Sequence, residues 1–123
     1  MKGVVITPEN TIEVREFNAP LYASIHDLLD GYMEIVRPIN LPEPQVMIVD
    51  DEGLLKNLPL NYIGSYLYGT AIHGNPIVGT VIIMKQGWTD NGPDIVGLDD
   101  DEAEAIATRF TKIIGDLRKS VKF

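Results

Sequence analysis

Apolar residues recur along this chain with two different periods. Lys2 to Thr7 is rich in valine and isoleucine and reads as a strand. Pro8-Glu9-Asn10 is a turn signal. From Thr11 to Phe17, Ile12 and Val14 alternate with Glu13 and Arg15, the period of two expected of a half-buried strand. Together the two segments predict an N-terminal hairpin. Asn18-Ala19-Pro20 then opens a helix, with Asn18 as the expected N-cap and proline tolerated in the first turn. Leu21, Ile25, Leu28 and Leu29 fall on one helical face. His26 falls off that face and is expected in solvent. Gly31 is the expected stop.

Tyr32 to Arg37 reads as a third strand, ended by Pro38. Leu41-Pro42-Glu43-Pro44 reads as a stiff surface connection rather than a ligand for an aromatic groove. Val46 to Val49 is apolar without alternation, so both faces are expected to be covered, as in a central strand. Asn61 is placed to cap a short helix running to about Tyr68, with Tyr62 and Tyr66 stacked at i, i+4. Gly69 and Gly74 bracket Thr70 to His73, read as a short strand or an ordered loop. Pro76 to Met84 is a second apolar run and a second central strand, with Gly79 permitting a bulge. Lys85 to Leu98 reads as a long connection, with Trp88 buried under it. Asp99 and Glu102 form a capping box for the last helix. Its apolar stripe is Ala103, Ile106, Ala107, Phe110, Ile113, Ile114, Leu117 and Val121. Acids at its start and bases towards its end complement the helix dipole. The order β-β-α-β-β-(short α)-β-α predicts an α+β fold. The expectation is a single domain over 1–123. It has a mixed, mainly antiparallel sheet of about five strands, two main helices and one short helix.

Composition narrows the chemistry. The 123 residues carry no cysteine, which removes disulfides, thiolate metal sites and a cysteine nucleophile. A net charge of −8 disfavours direct binding to a nucleic-acid backbone. No apolar run approaches the roughly 18 residues of a membrane span, and the start lacks a signal-peptide pattern. A cytoplasmic protein is the expectation. Asp50-Asp51-Glu52 lacks the alternate ligand spacing of a calcium loop and reads as a solvated turn. No metal or cofactor motif is present.

Several strings add up to a family likeness. They are Gly31-Tyr32-Met33-Glu34-Ile35-Val36-Arg37-Pro38, Asp51 to Asn61, the block from Tyr68-Gly69 to His73-Gly74-Asn75-Pro76-Ile77-Val78-Gly79-Thr80, and Leu98 to Ala103. Over nearly its whole length the chain resembles a bacterial and phage family, domain of unknown function 3846. The resemblance implies a small cytosolic protein that travels with phages and mobile elements. It implies no activity, cofactor or catalytic residue. Gly53, Pro59, Asn61, Gly74, Pro76, Ile77, Gly79 and Thr80 belong to the family pattern. Asn57 stands where members often have glycine, which argues against a tight turn there.

The favoured reading is a non-enzymatic binding or accessory protein, acting on a host protein or a small ligand such as a metabolite or nucleotide. Its expected ligand residues are Asn61, Tyr66, Tyr68, Thr70, His73 and Asn75, where aromatic faces and polar groups are densest. The alternative is a small hydrolase or transferase with His73 as base, paired with Asp51. A third reading is an acidic nucleic-acid mimic, which requires Asp50–Glu52 and Asp99–Glu102 to share one face. A homodimer is a further expectation, formed through an exposed edge strand such as Lys2–Thr7, with Trp88 as the alternative anchor for a partner.

Overall fold

In the computed structural model, which describes residues 1–120, one antiparallel sheet is sandwiched between helices. The elements are β1 (Lys2–Ile6), β2 (Ile12–Glu16), α1 (Leu21–Leu29), β3 (Met33–Val36), β4 (Gln45–Asp50), α2 (Tyr62–Tyr68), α3 (Thr70–His73), β5 (Val81–Thr89), β6 (Gly92–Val96) and α4 (Asp100–Ser120). The expected α+β class holds, with six strands rather than about five. The strand order is β2-β1-β5-β4-β3. Lys85 of β5 pairs with Gln45 of β4 and also with Val96 of β6. β6 therefore lies along the edge of β5 that β1 occupies further back.

The unbroken apolar runs bury both faces of the central strands, because alternate residues enter different cores. Val4, Ile6, Met47, Val49, Val81 and Ile83 pack with Ile63 and Leu67 of α2 and Ile106 and Phe110 of α4. Val5, Ile48, Ile82 and Met84 pack with Ile25 and Leu29 of α1. On the first face α4 rests on β1 and β2, and α2 lies beside it. The β3 end of that face receives no long helix.

Several expectations are corrected. Lys2–Ile6 is not an edge strand, because β2 and β5 flank it; among the described strands β2, β3 and β6 each pair with one neighbour. Asn18 does not cap α1, which starts after Pro20 with no side-chain cap. The helix stops one residue early, at Asp30 in the left-handed conformation. Gly31 serves a close approach instead: a Cβ there would lie 2.6 Å from Asp50 Oδ2 and Lys56 Nζ. Pro76–Thr80 is not strand, and β5 begins only at Val81. Gly79 takes φ +76° against Leu58, and Ile77 bonds to α2 rather than to a neighbouring strand. Thr70–His73 is a helical turn. The connection 85–98 is instead a hairpin of β5 and β6, and Trp88, at 83% exposure, is not buried beneath it. Asn57 does make the tight turn, at φ +54°, a left-handed geometry that asparagine tolerates. The side chains of residues 116–120, and all of residues 121–123, lie outside the described residues, so Leu117 and Val121 of the apolar stripe do too.

Asn61 joins these layers. Its side chain is fully buried. Nδ2 donates to Ile6 O at 3.0 Å and to Gly79 O at 2.9 Å, and Oδ1 accepts from Gly64 N at 2.8 Å. One amide thus caps α2 and pins it to the end of β1 and to the segment before β5. Asn61→Ala removes all three of these buried hydrogen bonds. It is expected to cost roughly 3–4 kcal/mol, read as a lower urea midpoint.

At the other end of the sheet, Glu102 Oε1 accepts from Asp99 N at 3.0 Å and from Lys85 Nζ at 2.6 Å. The Lys85 ammonium and then the Asp99 amide hold the Glu102 carboxyl below its ordinary value of 4.5. A depressed carboxylate stabilises the fold above its unfolded value, and that contribution is lost as pH falls through the folded value. Glu102→Gln is expected to cost on the order of 0.5–1 kcal/mol at pH 7, limited by solvent screening. The cost should shrink as pH falls below about 4.5. Urea melts at pH 7 and pH 3.5 check both parts.

Candidate functional site

A trough of about 480 Å³ opens where the β3 end of the sheet is left uncovered. Its floor is Glu34 and Val36 of β3 with Val49 of β4. One wall is the turn after β4, with Asp51, Leu54 and Leu55. The other is Tyr68 at the end of α2 and the segment Asn75 to Val78. The apolar rim is open to solvent: Leu54 is 64% exposed and Leu55 83%.

Local chemistry holds each wall in place. The turn after β4 is built on Asp50, whose carboxylate is buried rather than solvated as expected. Its Oδ2 accepts from Lys56 Nζ at 2.7 Å and its Oδ1 from Glu52 N at 2.9 Å. Lys56 also donates to Asp30 O at 2.8 Å, tying the turn to the end of α1. The hydrogen bond to Asp50 raises the Lys56 ammonium above its ordinary value of 10.5. Asp51 and Glu52 stay exposed. The opposite wall is held by Ser65, whose hydroxyl accepts from Ile77 N and donates to Ile77 O. Asn61 N donates to the same carbonyl, that of Ile77, and Gly79 N donates to Pro59 O. Thr70 Oγ1 donates to Asn75 O at 2.6 Å and closes the α3 turn.

The six sequence-derived candidates therefore separate. Tyr68 and Asn75 line the trough. Asn61 does not: its side chain is sealed in the core and used by the fold. Thr70 closes a turn behind the wall. Tyr66 is exposed with Tyr62 on α2, outside the trough lining. The backbone of His73 ends α3, and its side chain lies outside the described residues. Sequence reasoning missed Leu54, Leu55, Glu34 and Val36. The two adjacent leucines after an acidic turn were the available signal, since neither strand nor helix period accounts for them.

The two acidic stretches lie far apart along the sheet. Asp99 and Glu102 contact Lys85, which pairs with Gln45 at the start of β4. Asp50 lies at the far end of that strand, five residues on, or about 17 Å. The two acidic groups sit at opposite ends of the sheet. Lys2 and Lys85 further offset the second group, through ion pairs with Asp100, Asp99 and Glu102. No described helix is long and apolar enough to cross a membrane.

Residues 1–111 match the family described as domain of unknown function (DUF3846), so the chain belongs to that family. No curated protein and no solved structure matches it.

Asp50→Ala is expected to loosen the trough's turn before the whole fold. The Glu52 amide should exchange with solvent at least about ten-fold faster, since it loses its acceptor. The Lys56 ammonium should titrate nearer its ordinary value. Amide exchange and lysine NMR titration read these separately.

Proposed function

We propose that this member of the DUF3846 family is a non-enzymatic binding protein whose trough takes a segment of another protein. The observation that carries this reading is the pair of exposed leucines, Leu54 and Leu55, on a turn beside an open trough. Contiguous apolar surface costs solubility unless a partner covers it. A small-molecule site encloses most of its ligand, and a rim this exposed suits a macromolecular surface better. Glu34, Asp51 and Glu52 disfavour an anion such as a nucleotide, and with the net charge of −8 they favour a basic partner. A host protein met by a phage or mobile element is the partner that the family resemblance supports.

The test places a photoreactive residue at Leu55, in cells expressing the protein. One discrete crosslinked protein is expected. It should be absent when the same residue replaces Thr108 on the outer side of α4, and lost on adding Leu54→Asp. Equal crosslinking from both positions, or crosslinking untouched by Leu54→Asp, would remove the trough from the interaction.

A further inference from the structure

We infer that the partner segment binds as an added β-strand on the free edge of β3, with alternate side chains directed over the trough. This rests on the reading of the trough as a protein-binding surface.

β3 ends the sheet, since among the described residues it pairs with β4 and no other strand. The phase of that pairing is set by the bond from Asp51 N to Tyr32 O at 3.0 Å, which continues the β3–β4 register. In an antiparallel ladder the N–H and C=O of one residue point to the same side, and the side alternates along the strand. Tyr32, Glu34 and Val36 therefore bond towards β4, and the backbone groups of Met33 and Ile35 point outward. Natural edges are shielded by shortness, charged side chains, bulges, prolines or covering elements. β3 is short and carries Glu34, but Pro38 comes only after it has ended, and among the described residues no other strand lies along this edge. Ile35 stays 47% exposed.

The edge and the trough are continuous. Glu34 and Val36 point to the trough face of β3 and form its floor. A strand added outside β3 would place every second side chain beside them, because residues two apart share a face. The fixed charges there choose its composition. Glu34 and Asp51 line the trough and Glu52 lies next to them. Lys56 is held by Asp50 and Asp30 O, and the Arg37 guanidinium reaches away to Gln86 Oε1 at 2.9 Å. The occupant is an extended segment of a basic protein, with lysine or arginine and apolar residues on its trough side.

The probe is a peptide selected from a random nonapeptide display library panned on the intact protein, then synthesised with each backbone amide N-methylated in turn. The expected peptide carries lysine or arginine among apolar residues. Methylation should weaken binding about ten-fold at alternate amides and leave the intervening ones unchanged. Ile35→Pro should weaken the unmethylated peptide similarly. It removes an outward N–H and no bond to β4, the edge setting in which proline is tolerated. A flat methylation profile, from a peptide still sensitive to Leu55→Asp, would overturn strand addition and leave the trough reading standing. Failure to enrich any peptide, or enrichment indifferent to Leu55→Asp, would overturn both. Sedimentation showing a dimer dissociated by Ile35→Pro would assign the edge to a second copy and overturn the inference.

Discussion

The fold turns on a single buried amide. A helix as short as α2 has little stability of its own, because nucleation costs more than a few hydrogen bonds return. Asn61 supplies the missing constraint by satisfying the helix N-terminus and two carbonyls from separate segments at once. Only a side chain with two donors and an acceptor does this; a carboxylate has no donors and a hydroxyl has one. Ser65 repeats the device one turn later, bonding both backbone groups of Ile77. Between them they convert Pro76–Thr80 from an expected strand into a strap that crosses α2. The trough lies between that strap and β3.

A second constraint comes from the two-sided sheet. Nine-residue α1 and 21-residue α4 cover different faces of the sheet. What remains is the β3 end of the α4 face. Asp50 and Lys56 keep the adjacent turn upright there, with the carboxylate buried and the lysine reaching across to the end of α1. A buried charge is tolerated when it is paired and hydrogen-bonded, and Asp50 is both. Two leucines are thereby held in solvent beside an open strand edge.

Much of this was legible in order along the chain. The hairpin of β1 and β2, the amphipathic α1, the buried β4 and the capping box of α4 follow from local periods and caps. Asn61 reads both as a helix cap and as a ligand residue, because a cap and an exposed donor look alike in sequence. Trp88 is hard to place for a related reason: large aromatics are usually buried, and the hairpin that carries it outward looks like a loop in sequence. Thr89-Asp90-Asn91-Gly92 held the turn signal that would have revealed β6. Asp50 looks in sequence like one of three solvated acids, although only Asp51 and Glu52 face water.

The sequence by itself determined the class of fold, the central strands, the last helix and the absence of cysteine chemistry. These depend on local hydrophobic period, caps and composition, which neighbouring residues carry. The tertiary structure alone decided which strands became edges, which acid was buried and which tyrosine reached the trough. Those outcomes depend on contacts between residues far apart in the chain: Ile6 with Asn61, Asp30 with Lys56, Tyr32 with Asp51. No local pattern encodes such pairings, because each is set by how two helices of unequal length cover a twisted sheet.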